Sequence, residues 1–427
     1  MTQRPSWRAT LVSLLLVCAA SAQNAAALEP VPDFVTKYAP LVWLHSLDPF
    51  RPSDLLTHVR HTTPTIDQVP VPNLPSLTLD NLALLNGLNG TVALASKDDV
   101  TTLPSWLMGD VPDETGRTAN ATACVVILVD KGQHEVDAFY FYFYSYDRGA
   151  NLTQVVEPLN RLVEDTQHGV PFGDHVGDWQ VLLILAEHNM VRFHQGKPTG
   201  IYYSQHEDGA AYSWADAKLS LQDERPLVFS AYGSHANYVS HGDHIHGKAL
   251  IDFCDTGILW DPVLSAYFFQ FDPQTSHLTR LVHGSSHDDA APTTNLTSFL
   301  YFAGLWGDAE YPKHHPLQKT IPLFGLKRFV SGPLGPLAKQ LVRRGLFPDR
   351  RARKSWIQWA VGVFMTFYPC CVRGWRKWMS GMVLLVVGLG LMLVFWRAVR
   401  YHQRRTRRRR RGYKKLRMMD IPLSDVA

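Results

Sequence analysis

Between Gly173 and Trp260 the chain concentrates residues able to hold a cation or move a proton. GDHVGDWQ (Gly173–Gln180) supplies Asp174, His175 and Asp178, IYYSQH (Ile201–His206) ends on His206, and RPLVFSAYGSHANY (Arg225–Tyr238) carries His235. A fourth cluster, HGDHIHG, follows at His241–Gly247. Three neutral imidazoles with the Asp178 carboxylate would suit a borderline cation such as zinc, whereas carboxylates with carbonyl oxygens and waters would suit calcium or magnesium. Asp174, His175 and Asp178 converge only if the chain turns between them, and Val176-Gly177 can supply that turn. The competing expectation is a hydrogen-bonded polar cluster that fixes loops. A hydrolase with Asp178 as general base is the catalytic alternative, but no HExxH, serine-elbow or Cys-His signature accompanies it.

These residues sit at the ends of predicted strands. Cys124–Val129 is a continuous apolar, largely β-branched run, and Phe139, Phe141 and Phe143 alternate with Tyr140, Tyr142 and Tyr144 at a period of two. That alternation directs the phenyl rings into a core and the tyrosines to a second layer or to water; a sugar-binding aromatic face is the alternative. Further strands are expected at 179–185, 190–194, 200–204, 226–231 and 267–271, with helix only near 152–164 and 298–304. Short strands separated by Gly, Asn, Asp and Pro predict a mainly β chain, an antiparallel sandwich-like domain with loops at one end bearing the site. Cys124 and Cys254 are the cysteines of this body, open either to a disulfide or to two buried thiols.

Charge and hydropathy place that domain. The net charge of +4 divides into +10 on Arg397–Ala427, +2 on the first 27 residues and −8 on residues 28–396. A mildly acidic body joined to a strongly basic tail argues against a nucleic-acid-binding domain and makes the basic end a topology signal. Arg4 and Arg8, the apolar run Leu11–Ala20 and Ala20-Ser21-Ala22 predict a signal peptide over residues 1–22. Nineteen uncharged residues from Trp378 to Trp396 match a bilayer core and carry Trp at both ends. The Arg-rich run beyond them marks the cytosolic side. The expected organisation is therefore signal peptide 1–22, lumenal β domain 23–312, basic Pro/Gly-rich stalk 313–377, transmembrane helix 378–396 and cytosolic tail 397–427. The apolar segment within residues 356–371 is read as interfacial or re-entrant, with a two-span hairpin as the alternative. Asn89, Asn120, Asn151 and Asn295 are lumenal glycosylation acceptors. Tyr413-Lys414-Lys415-Leu416 fits a tyrosine-based sorting signal. The implied partners are membrane lipid, sorting adaptors at Tyr413 and Leu416, and a lumenal ligand or cargo.

The segments GDHVGDW, YYSQH, GSHANY and WDPVLSAY, in this order, resemble the vacuolar protein sorting-associated protein 62 family of fungi, with related plant proteins of unknown function. The resemblance spans Tyr38–Pro312 and begins with LVWLHSLDPFRPSD (Leu41–Asp54). It implies a non-catalytic part in delivery to the vacuole, and residence on an endosome or vacuole membrane. Where similar sequences carry glutamate after the Asp-Trp pair, this chain has Gln180, so a carboxylate that binds metal in the family would be missing here. A fainter likeness, His175, Asp178 and Trp179 alone, connects the motif with the cation-binding heptapeptide of necrosis-inducing secreted toxins.

Overall fold

The computed structural model describes residues 28–151, 171–179, 181–182, 185–186, 188–205, 208–246, 250–283, 296–321, 326–349 and 376–417. The signal-peptide segment, the expected helix at 152–164, His206, Gln180, Asn295 and the 356–371 segment lie outside them.

The chain is mainly β. An eight-stranded sheet runs in the order Glu29–Pro30, His277–Val282, Ala266–Asp272, Cys124–Gly132, Glu135–Tyr142, His188–His194, Lys197–Gln205, Asp208–Ser213. The Phe/Tyr alternation decides its burial. Phe139, Phe141 and Phe143 enter one core with Val125, Ile127, Trp179 and Trp306, while Tyr140, Tyr142 and Tyr144 enter the other with Trp260, Val42 and Val228. Both faces are therefore covered, and the tyrosines meet a second layer rather than water. Two of these buried phenols have the polar partners they need: Tyr140 donates to the Val35 carbonyl of the short helix Asp33–Lys37 at 2.6 Å, and Asn189 Nδ2, from the neighbouring strand of the same sheet, donates to the Tyr142 hydroxyl at 3.0 Å.

The second layer is a sheet in the order Leu221–Gln222, Arg225–Ser230, Leu41–Leu44, Ile258–Trp260, with Asn237–Tyr238 on the Arg225–Ser230 strand. The two sheets form a sandwich, but not an all-antiparallel one. Arg225–Ser230 runs parallel to Leu41–Leu44, and Ala266–Asp272 parallel to Cys124–Gly132. Parallel neighbours need long crossovers, and here the intervening chain makes them. The strand expected across Trp179–Leu185 instead ends at Asp178, followed by the short strands Val181–Leu182 and Leu185–Ala186. The expected helix at 298–304 is a single turn, Ser298–Tyr301.

Two other expectations are corrected. Cys124 and Cys254 are free, buried thiols. Cys124 lies in the inter-sheet core, whereas Cys254 packs with Phe229 and Ala231 and its thiol points at the Phe229 carbonyl, 3.5 Å away. The segment read as the start of a basic stalk belongs to the β domain as far as Asp349. Arg192 holds Asp137 through two hydrogen bonds of 2.7 and 2.8 Å and donates to the carbonyls of Arg344 and Gly345. Arg343 is buried, lies over the rings of Phe139 and Tyr202, and contacts His188 Nε2 at 2.6 Å. Arg343, one of the basic residues that suggested a solvated stalk, fastens the 326–349 strap to the sheet, its long apolar stem packing as it does so.

One helix, Arg376–Arg417, holds the described part of the C-terminal region. Its Gly381–Arg407 portion is the one helix among the described residues long and apolar enough to cross a membrane. Val386, Val394 and Phe395 are 66%, 65% and 71% exposed, on all sides of the helix. A helix apolar all round needs either protein or lipid around it. Tyr413 falls within its backbone, but the side chains of Tyr413 and Leu416 lie outside the described set.

Candidate metal centre

The site forms where the Tyr144–Asp147 strand pairs antiparallel with His175–Asp178. His175 lies opposite Asp147, and Asp178 opposite Tyr144. In a regular strand His175 and Asp178, three apart, would point to opposite faces. Gly177 removes that obstacle: its φ of +67° breaks the alternation, so both side chains turn to one side. Val176 is left in a small core with Phe50 and Tyr146, and Trp179 enters the phenyl-side core.

His235 reaches the same place from the other sheet, in the tight turn after Arg225–Ser230. Its own φ is +54°; its N–H donates to the Ala231 carbonyl at 3.0 Å, and Ala231 N–H donates to Ala236 at 2.9 Å. Asp48 secures the turn by accepting from Gly233 N–H at 2.7 Å. The His235 ring stacks on Tyr144 with centroids 3.7 Å apart. Its Nδ1–H donates to Asp178 Oδ2 at 2.8 Å, and Nε2 lies 3.5 Å from Asp48 Oδ2.

Three carboxylates and two imidazoles are thus buried together. His175 Nε2 is 3.9 Å from Asp178 Oδ1, its Nδ1 is 3.9 Å from Asp147 Oδ1, and Nδ1 also contacts the Gly173 carbonyl at 3.1 Å. One ligand atom each from Asp147, His175 and Asp178 falls within 4.8 Å of the others. A central cation about 2.0–2.6 Å from each oxygen or nitrogen would span such separations. His175 Nε2 and His235 Nε2 are buried without a hydrogen-bond partner among the described residues. An orphaned buried polar atom costs about 1–3 kcal/mol, and a ligand at His175 Nε2 would remove that cost.

Burial alone would lower the His175 pKa, but the Asp147 and Asp178 carboxylates outweigh it and hold it up at about 9. His235 is raised against the same burial by Asp178 and Asp48. Burial would raise the Asp178 carboxyl, yet the two histidines beside it hold it below the usual carboxylate range. His58, also fully buried, shows the opposite outcome: with no carboxylate in contact, burial takes it down to about 4, and it remains neutral between Ser145 and the Trp306 carbonyl.

Of the sequence candidates, His175, Asp178 and His235 meet, and His206 lies outside the described residues. Asp174 points elsewhere: it accepts from the Tyr146 hydroxyl and from Gly149 N–H, both at 2.9 Å. Burial lifts its pKa to about 6. It fixes the loop before the site strand and lies outside the group formed by Asp147, His175 and Asp178. His235 likewise stands behind Asp178, orienting the carboxylate rather than joining the three-residue set. Asp48 and Asp147 were not singled out from the sequence. Asp147 continues the aromatic alternation, FYFYSYD, and was within reach of that pattern; Asp48 carries no local signal.

The family model for vacuolar protein sorting-associated protein 62 matches residues 160–283. The vacuolar protein sorting-associated protein TDA6 of Saccharomyces cerevisiae is 32% identical over 356 residues, covering 74% of this chain and 68% of that protein. Vacuolar protein sorting-associated protein 62 of the same yeast is 33% identical over 347 residues, covering 74% and 67%. Among solved structures, Necrosis and Ethylene inducing Protein 2 from the causal agent of cocoa's Witches Broom disease aligns over 50% of this chain and 70% of that one, with 13% identity and a TM-score of 0.24. With about a third of the aligned residues identical to each of the two yeast proteins over 74% of its length, the chain belongs to the vacuolar protein sorting-associated protein 62 family.

Proposed function

We propose that this protein is a single-pass type I membrane glycoprotein of the vacuolar route. Its β domain faces the lumen and takes part in sorting as a binding rather than a catalytic component. The names of its relatives support the route, and the observation that carries the topology is the C-terminal helix. Its apolar stretch, exposed on every side, is followed directly by the Arg400–Arg411 run, which the positive-inside rule assigns to the cytosol. Tagged protein should appear on endosomes or the vacuole membrane. Protease added to intact vesicles should remove residues 397–427 and leave the β domain whole. A protected C-terminal tag would overturn the single span in favour of a hairpin through residues 356–371.

Within that domain Asp147, His175 and Asp178 form a divalent-cation site. Two carboxylates with a single imidazole favour an oxygen-preferring ion such as Ca2+, Mg2+ or Mn2+ over zinc. All three ligands are buried, whereas a catalytic metal keeps a position open to substrate; this favours a cation that shapes the surface of the sheet end over one that hydrolyses. Metal analysis of the purified full-length protein should find about one divalent ion per chain. Protein that stays metal-free after dialysis against each of the three ions would end the reading.

A further inference from the structure

Asn120 sits in the loop before the Cys124–Gly132 strand, and that loop is fastened at several points. Asn120 N–H donates to Asp110 Oδ2 at 2.8 Å, Thr118 Oγ1 to the Ala121 carbonyl at 2.7 Å, and Thr122 N–H to Asp54 Oδ2 at 3.3 Å. The Asn120 side chain is exposed, and its carboxamide has no partner among the described residues. It borders a polar-lined cleft of about 390 Å³. Arg117, Ser265, Arg280 and His283 stand around the cleft, and the start of the Ala266–Asp272 strand lies along it. Cavities of roughly 300–1,000 Å³ with a few convergent polar groups hold small ligands.

We infer that Asn120 carries an N-linked glycan whose first N-acetylglucosamine units lie in this cleft, bound by the protein they are attached to. The inference rests on the lumenal placement proposed above. Transfer forms the bond from Asn120 Nδ2 to sugar C1 and breaks the C1–O bond to a polyprenyl-diphosphate donor. One amide proton leaves with the diphosphate. Arg117 and the Ser265 hydroxyl line the cleft as hydrogen-bonding partners for sugar hydroxyl and acetamide groups, and the Ala266–Phe268 stretch supplies a surface for the sugar face. Individual sugar contacts are weak. A tether at the rim raises the effective concentration to the millimolar range, so a contact with a Kd of about 0.1 mM keeps the cleft roughly nine-tenths filled. Asn89, also exposed, serves as the comparison acceptor among the described residues.

The test uses full-length protein from a eukaryotic secretory host, digested with a glycosidase that cuts the sugar–asparagine bond and read by glycopeptide mass spectrometry. Both Asn89 and Asn120 should be occupied. In the folded protein the Asn120 glycan should be released roughly ten-fold or more slowly than in the denatured protein, while the Asn89 glycan is released at similar rates in both. Replacing two exposed cleft residues together, Arg117→Ser with His283→Ala, should speed release at Asn120 alone. An unmodified Asn120 beside a modified Asn89, or equal rates for the two glycans in the folded protein, would overturn the inference and leave the topology standing. Absence of glycan from every acceptor would remove the lumenal placement and this inference with it.

Discussion

Asp178→Asn should strip the bound cation from the protein and lower its stability even where no cation is present. Asp178 serves two partners at once: Oδ1 faces His175, and Oδ2 accepts from His235 Nδ1. As a cation ligand its charge is indispensable, and the neutral amide should take stoichiometric metal to background. As the acceptor between two buried imidazoles it also stabilises the fold. Breaking a buried charged pair by removing one partner costs about 3–5 kcal/mol; loss of protons from the histidines in the variant offsets part of that, so about 3 kcal/mol is expected. Metal adds a separate contribution. A cation present at about 100 times its Kd stabilises the native state by ~2.7 kcal/mol, so chelation should lower the Tm of the wild type and leave that of the variant unchanged. Wild-type and Asp178→Asn proteins that respond equally to chelator would show that the cluster is a structural network without a ligand.

The same groups set the pH dependence of the metal-free domain. His175 has its pKa raised from 6.5 to about 9, so its contribution is complete below about pH 6.5 and is lost as pH rises through 9. Asp178 is depressed from 3.8, so its contribution is present above that value and is lost as pH falls further. In chelator the cluster therefore stabilises most in the mildly acidic window between those limits, where His175 is protonated and Asp178 ionised.

Much of this site was legible because its signals are local. Gly177 between His175 and Asp178 announced a bend, and a bend was what the two side chains needed to converge. His235 was marked by its place at a strand end with Gly233 just before it. Asp48 was invisible for the opposite reason. It is 187 positions from His235, and the approach depends on Leu41–Leu44 lying parallel to Arg225–Ser230. Alternation tells which side of a strand a residue takes, not which strand will lie beside it. The Phe/Tyr repeat shows the same limit: it set the two faces correctly but could not say that a second sheet covers the tyrosines. The strap at 326–349 was misread because composition alone does not separate a solvated arginine from one that holds carbonyls, as Arg343 does.

Gly177→Ala should be among the most damaging single-methyl additions in the domain. At φ +67° any L side chain is strained, and holding such a residue there costs about 1–3 kcal/mol. Space is a second obstacle. A methyl group at this position would fall on the carbonyl oxygen of Trp306, a backbone atom that cannot swing aside, with His58 Cε1 3.3 Å away. The Trp306 carbonyl also receives the 2.8 Å contact from His58 Nε2, and Trp306 itself is packed in the phenyl-side core. Moving one therefore disturbs the other, and overpacking of this kind costs about 1–3 kcal/mol more. The combined loss should be about 4 kcal/mol, read as a large fall in the denaturant midpoint. Gly132 provides the control. Its φ is +76°, close to that of Gly177, but nothing lies within 4 Å of the added methyl. Gly132→Ala should therefore show the conformational cost alone, about 1 kcal/mol, and keep its cation. The gap between the two variants measures the close approach of the site strand to residue 306. If Gly177→Ala matched Gly132→Ala in stability and still bound metal, the convergence of His175 and Asp178 would not depend on that approach.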